Sequence, residues 1–165
     1  MAEQPQEPVF SIQRVYLKDA SLEIPNAPKI FLEAKQPTVD VSLGVDSTDV
    51  GEGVFETSVT VTVTTKIEEQ VAFLCECTEG GIFEIRNIPD DQLPMLQNIV
   101  CPNIIYPYLR GNVADLIQRA GFPPIHLAEI NFEALYQQKL AQGDQAPAPA
   151  QDDSPGLIIP PGAKH

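Results

Sequence analysis

The stretch "VFETSVTVTVTTKI", Val54–Ile67, alternates apolar and polar side chains with a period of two. Its apolar positions are Phe55, Val59, Val61, Val63 and Ile67, and its polar positions are Glu56, Ser58, Thr60, Thr62, Thr64 and Lys66. Both sets are rich in β-branched residues, which favour strands. The pattern is typical of a half-buried antiparallel strand, with one face on a core and the other in water.

Three further segments show strand patterns around this one. They are "VYLKDASLEI" before it, "TVDVSLGVD" with Val39, Val41, Leu43 and Val45 on one face, and "VAFLCECTEGGIFEI" with Val71, Phe73, Cys75 and Cys77 on one face. Turn-forming residues separate the later segments from one another. Four strands with short connections predict an antiparallel meander.

Helical patterns follow the strands. Apolar residues recur at helical spacing in "DDQLPMLQNIV", "CPNIIYPYLRGNVADLIQRAG" and "FEALYQQKL". Asn131 is the expected N-cap of the last helix, and Pro107 should kink its helix or delay its start. These patterns predict an α+β fold, a four-stranded antiparallel sheet covered on one face by C-terminal helices. We expect a disordered arm at 1–8, the domain at 9–140 and a disordered acidic, Pro-rich tail at 141–165.

Composition limits the classes of function. The 165 residues carry a net charge of −13, which argues against nucleic acid and anionic membranes as partners and allows a basic partner. No apolar window is long enough for a membrane span, and the N-terminus has no signal-peptide pattern. Three cysteines make a poor disulfide framework. We therefore expect a cytoplasmic protein.

Catalytic and metal-binding patterns are weak. A zinc site could draw on Cys75, Cys77, Cys101 and His126, but a Cys-x-Cys pair on one strand face lacks the usual zinc-knuckle spacing. Each cysteine lies in a dense apolar pattern, where a thiol usually packs as a small hydrophobe. The sequence has no phosphate-binding glycine motif. We expect no enzyme activity, no cofactor and no metal.

The outward phase of the predicted strands carries carboxylates. In an extended chain Asp19 and Glu23 point the same way about 13 Å apart, too far for the roughly 5–9 Å at which paired carboxylates cooperate in catalysis. Leu74 and Glu76 share the outward phase of another strand. If the faces coincide, these residues form an acidic patch around one apolar contact, which suits a basic, partly apolar peptide. A merely solvated sheet face is the alternative.

Five segments together resemble the SecB family of tetrameric protein-export chaperones. They are "IQRVYLKDASLEIPNAP", "VAFLCE", "GGIF", "CPNIIYPYLR" and "NFEALY", in the family's order, spanning about 9–140. The resemblance implies a dimer of dimers that holds unfolded preproteins in the cytoplasm and passes them to the motor ATPase SecA. It also implies that Asp19, Glu23, Leu74 and Glu76 receive the basic, zinc-bearing tail of SecA. Any zinc would then belong to the partner.

The resemblance implies two further sets of residues. Cys75 and Cys77 are expected at or near subunit contacts. Clients are expected on the crossover after the first strand and on exposed helix residues, the set being Phe31, Leu32, Tyr108, Phe132 and Tyr136. Familiar members carry a Trp where this sequence has Lys35. A SecB-like chaperone of a toxin–antitoxin pair and a small-ligand binding protein stay open as alternatives.

Overall fold

The computed structural model describes residues 4–143, which form one sheet and a helical layer. The strands are β1 (Val9–Glu23), β2 (Thr38–Gly51), β3 (Val54–Ile67) and β4 (Gln70–Arg86). The helices are α1 (Leu93–Met95), α2 (Cys101–Arg119) and α3 (Phe132–Gln142), with a 3₁₀ turn at Lys29–Leu32 and a π-helical segment at Leu96–Val100. The ends of the predicted arm and tail, 1–3 and 144–165, lie outside the described residues.

The sheet is antiparallel throughout, in the order β1-β4-β3-β2. The predicted four-stranded antiparallel sheet is therefore confirmed, and the predicted meander is correct from β2 to β4 but wrong for β1. Residues 24–37 cross from β1 at one edge to β2 at the other, and the Asn26 side chain donates to the Val71 carbonyl at 2.9 Å on the way. A strand pattern is a local property, whereas the order of neighbours depends on contacts between distant residues.

Three successive left-handed residues close the hairpin between β2 and β3. Gly51, Glu52 and Gly53 have φ values of 107°, 56° and 76°. Glycine adopts this region without strain because it has no Cβ. A Cβ on Gly53 would also lie 2.8 Å from Cγ of Arg86, so that the turn packs closely on the end of β4.

The core lies between one face of the sheet and the helices. Val59, Val61, Val63 and Phe83 on the sheet and Ile105, Leu109, Val113 and Ile117 on α2 are fully buried. A Cβ added to Gly81 would come within 2.8 Å of Cγ2 of Ile105. The absence of a side chain at this position therefore lets α2 approach β4 closely.

The helical segments run on without a break from Leu93 to Arg119. Pro107 lies inside α2 and is exposed, so the helix continues through it although the ring removes one backbone donor. The carbonyl four residues earlier belongs to Asn103, which is also exposed and can bond water instead. The predicted N-cap of α3 is confirmed, since Oδ1 of Asn131 accepts from the Ala134 amide at 3.0 Å. No helix within residues 4–143 is long and apolar enough to cross a membrane.

Candidate functional site

Four residues singled out in the sequence share one corner of the sheet, on the face away from the helices. The register pairs Glu23 with Leu74, Ser21 with Glu76 and Asp19 with Thr78 across β1 and β4. Directly opposed residues in an antiparallel pair point to the same face. We call Asp19, Glu23, Leu74 and Glu76 the acidic corner; its three carboxylates are exposed and Leu74 is half-buried.

Hydroxyl side chains extend the acidic corner across the sheet. Thr62 on β3 donates from Oγ1 to Oε2 of Glu76 at 3.2 Å, and Thr60 and Thr78 are hydrogen-bonded at 2.8 Å. Because the register runs from Leu74 to Thr64 and on to Asp40, a further exposed carboxylate lies in the same row. Asp40 was missed in the sequence, although it is an outward-phase residue of "TVDVSLGVD".

A cation next to the acidic corner is already paired. Lys18 lies at a register shift in β1 between Leu17 and Asp19, and its Nζ donates to Oε1 of Glu56 on β3. This hydrogen bond raises the pKa of Lys18 and lowers the pKa of Glu56. Burial, followed by a hydrogen bond to Glu56, raises the pKa of Tyr16, whose ring lies over Gly80. Glu56 therefore provides a counter-ion for Lys18 beside the acidic corner.

One carboxylate lies on the opposite face of β4. The strand carboxylates are expected on the outward phase, but Glu79 shares the inward phase of Cys75 and Cys77 and is only 3% exposed. Asn112 of α2 donates from Nδ2 to Oε2 of Glu79 at 2.7 Å. Burial raises the pKa of this carboxyl, and the hydrogen bond from Asn112 lowers it by less. The pair joins the sheet to the helix inside the domain.

The three cysteines are free and buried. Burial raises the pKa of Cys77 and of Cys101 to about 12 and raises that of Cys75, so these thiols are protonated near neutral pH and poor nucleophiles. Cys75 and Cys77 are covered by their own chain, and their place at or near a subunit contact stays a prediction. His126 is exposed, and no group of three or more potential metal ligands lies together within residues 4–143.

An aromatic cluster lies where the crossover meets the helical layer. The ring of Phe31 stacks on Phe122 with centroids 5.0 Å apart, and Phe122 contacts Phe73 with centroids 4.8 Å apart. Phe31 is 47% exposed and the adjacent Leu32 is 86% exposed. Lys35, further along the crossover, forms an exposed ion pair with Glu68 in the turn after β3. The crossover thus exposes apolar side chains next to a cluster of packed aromatic rings.

The other expected client residues lie elsewhere. Tyr108 is exposed on α2, and Tyr136 is half-buried on α3. Phe132 is 1% exposed and makes an edge-on contact with Tyr106, with centroids 5.5 Å apart. This burial makes Phe132 a core residue, contrary to the expectation of client contact. Sequence reasoning also missed Phe122 and Phe73, because their pairing with Phe31 depends on the crossover.

Two of the open clefts among residues 4–143 adjoin the helical layer. A cleft of about 270 Å³ lies between β2 and α3, where Leu43 and Val45 face Leu135, Tyr136 and Lys139. A groove of about 410 Å³ runs along α2 beside the loop that carries His126, and its lining includes Arg110, Asp115 and Gln118. The first cleft is lined mainly by apolar residues and the second has several charged and polar side chains.

Comparison with known proteins gives a consistent result. The family model described as preprotein translocase subunit SecB matches residues 3–143. The chain is 60% identical over 149 residues to a protein-export protein SecB of Verminephrobacter eiseniae, covering 90% of this chain and 97% of that protein. It is 56% identical to the protein of the same name from Janthinobacterium sp. (strain Marseille), covering 100% of each.

One solved structure has a similar fold. It is a SecB-like chaperone from Mycobacterium tuberculosis in complex with a peptide from an antitoxin. The TM-score is 0.61 with 18% sequence identity, covering 73% of this chain and 90% of that one. At this identity the likeness concerns the fold.

Proposed function

This chain belongs to the SecB family of protein-export chaperones, and we propose that it holds unfolded preproteins in the cytoplasm and delivers them to SecA through the acidic corner. The observation that carries the delivery step is the register of β1 and β4, which gathers three exposed carboxylates around Leu74. A basic, partly apolar segment would find both charge and an apolar contact on this corner. No step requires catalysis or a bound metal.

The crossover supports client binding. Phe31 and Leu32 expose apolar surface without an enclosing pocket, which suits a chaperone that must accept many sequences. Tyr108 and Tyr136 add aromatic surface on two helices. A long unfolded chain that touches several such points gains affinity through effective concentration rather than through one strong contact.

Assembly as a dimer of dimers is part of the proposal. The edge strand β1 exposes Phe10, Ile12 and Leu17, three large apolar side chains along one strand. An exposed strand edge with apolar side chains favours pairing with another chain. A tetramer would also place several client surfaces on one particle, as multivalent binding requires.

The delivery step is tested with a SecA tail peptide and a triple variant, Asp19→Ala/Glu23→Ala/Glu76→Ala. The matched control Glu69→Ala/Asp90→Ala/Asp91→Ala removes the same charge at exposed positions off the corner. We expect tail binding to weaken at least tenfold for the first variant at low salt and to change little for the control. Equal binding by both variants would refute the delivery step, while holding of a denatured preprotein should be unchanged in each.

A role as the chaperone of a toxin–antitoxin pair is less well supported. The chain is 56–62% identical to proteins named for protein export, and the antitoxin-bound relative shares only its fold at 18% identity. A panel that offers an antitoxin peptide and a denatured preprotein side by side separates the two roles. We expect the preprotein to bind more tightly.

A further inference from the structure

An apolar stripe on α3 points toward the end of the described chain. Phe132, Tyr136 and Leu140 follow one another at four-residue spacing and so lie along one face of the helix. Phe132 is buried, Tyr136 lines the cleft between β2 and α3, and Leu140 is 53% exposed. The stripe therefore leads from the core, through the cleft, to the place where the chain leaves the helix.

The cleft has a simple chemical character. Leu43, Val45 and Leu135 provide aliphatic walls, and Lys139 is the one charged side chain among the described residues that line it. Lys139 is exposed and forms no ion pair within residues 4–143. An occupant with a few aliphatic side chains and a nearby carboxylate would complement these features.

The remaining part of the chain contains such a segment. In the sequence "DDSPGLIIPP" three consecutive aliphatic residues, Leu157–Ile159, follow the carboxylates of Asp152 and Asp153. Apart from these three, the stretch 144–165 is mostly small, polar or proline residues. The export function proposed above leaves this segment without a role.

The reach of the chain matches the position of the cleft. Lys139 lies four residues before Gly143, about 6 Å away along a helix. Residues 144–156 separate Gly143 from Leu157, and a chain of this length can span at most roughly 45 Å, so the segment is within reach of the cleft. A short tether of this kind gives an effective concentration in about the millimolar range, so that even a weak segment is bound part of the time.

We propose that the cleft between β2 and α3 binds the chain's own segment Leu157–Ile159, which occupies it as an internal client mimic until an unfolded client displaces it. The proposal rests on the proposed chaperone function only for this displacement. The polar groove along α2 is the poorer match, because it offers charged and polar side chains rather than aliphatic walls.

The test uses the full chain and methyl resonances of Leu43, Val45 and Leu135 as the readout. The variant Leu157→Ser/Ile158→Ser/Ile159→Ser should shift these resonances. The control Gln145→Ser/Ala146→Ser/Ala148→Ser, also three serines in the same segment of sequence, should not. Unchanged cleft resonances in the first variant would overturn the proposal.

A peptide of residues 150–165 provides the second arm. It should bind the Leu157→Ser/Ile158→Ser/Ile159→Ser variant and bind the wild-type chain about tenfold more weakly, because the tethered segment competes at an effective concentration about ten times its dissociation constant. Equal affinity for both chains contradicts a tethered occupant. So do cleft shifts that appear when isotope-labelled variant is mixed with unlabelled wild type, since a second copy would then supply the segment.

Neither arm contains a client, so the two proposals fail separately. Lost client holding with intact cleft shifts would remove the chaperone role and leave the internal contact. If the cleft resonances of the triple-serine variant match those of wild type while client holding is normal, the internal contact is rejected and the chaperone role remains. Adding a denatured preprotein to the wild-type chain should move the cleft resonances away from their tail-bound positions, and failure to do so would reject displacement.

Discussion

Asn112 on α2 donates a hydrogen bond of 2.7 Å to the buried carboxyl of Glu79 on β4. Burial raises the pKa of Glu79, so the folded state binds its proton more tightly than the unfolded state does. The protonated carboxyl of Glu79 therefore stabilises the fold at low pH. This stabilisation is lost as the pH rises through the raised pKa of the folded state. The stability that this contact between helix and sheet provides therefore depends on pH.

We expect the substitution Glu79→Gln to abolish this pH dependence. An amide can still accept from Asn112 but carries no charge, so the variant should be more stable than wild type at pH 8 and should approach it below about pH 4.5. Urea unfolding measured across this range gives the comparison. Glu76→Gln, on the exposed face of the same strand, should differ from wild type by no more than about 0.5 kcal/mol. A constant offset between Glu79→Gln and wild type at every pH would refute the prediction.

Leu74 and the carboxylates of the acidic corner should respond differently to salt. Leu74→Ala should weaken binding of the SecA tail by roughly tenfold at every salt concentration, because its contribution is apolar burial. The loss from Asp19→Ala or Glu23→Ala should shrink near 1 M salt, where the Debye length is about 3 Å. Titration of the tail by calorimetry at two salt concentrations is the measurement. A Leu74→Ala effect that vanishes with salt would contradict this division.

The ion pair of Lys18 and Glu56 should protect the acidic corner from an internal competitor. Glu56→Gln frees the ammonium group of Lys18, which can then turn toward Asp19 and weaken binding of a basic tail roughly two- to fivefold. Adding Lys18→Ala to this variant removes the competing cation and should restore affinity. The same tail-binding titration measures both, and no recovery in the double variant would exclude competition.

Phe31 and Phe132 should separate client binding from stability. Phe132→Ala removes a fully buried ring and should cost roughly 3–5 kcal/mol in unfolding free energy. Phe31→Ala removes a half-exposed ring stacked on Phe122 and should cost only about 1 kcal/mol while weakening client holding. Denaturant unfolding run beside a holdase assay distinguishes them. Normal client holding by Phe31→Ala would remove the crossover from the client surface.

The exposed apolar edge of β1 should control assembly. Leu17 is 48% exposed, so Leu17→Asp should leave the fold intact and disrupt pairing through β1 by placing a charge in a contact that excludes water. Light scattering should report a tetramer for wild type and a smaller species for the variant. A stable wild-type monomer of 18.0 kDa at micromolar concentration would refute the assembly.

Local patterns in the sequence were sufficient for the strands, the cap at Asn131 and the outward phase of Glu23 and Leu74. Each of these depends on residues close together in the chain. That Glu23 stands directly opposite Leu74 depended instead on which strands are neighbours, and periodicity carries no information on that order. The family resemblance grouped these residues on one face but did not give the order of the strands.

Other features were not predicted because they go against the usual preference of polar side chains for water. Thr57 and Thr65 occupy the inward phase of β3 and are buried with the valines, although threonine is mostly exposed in proteins. Glu79 likewise follows the phase of Cys77 rather than the preference of a carboxylate for water. The phase alone would have found all three, whereas the partner Asn112 depends on how α2 packs.

The crossover topology also affects how the protein folds during its synthesis on the ribosome. β1 is synthesised before β4, yet within residues 4–143 β4 is its only partner in the sheet, and Gln13 and Glu84 are hydrogen-bonded across 71 residues of sequence. At about 5–20 residues per second, β1 waits roughly 4–14 s for β4 to emerge, while the hairpins of β2–β4 can already form. During that interval β1 lacks its partner strand, so Phe10, Ile12 and Leu17 lack even the partial cover that they have in the folded domain. A nascent chaperone of this fold thus passes through the same exposed state that it later recognises in other proteins.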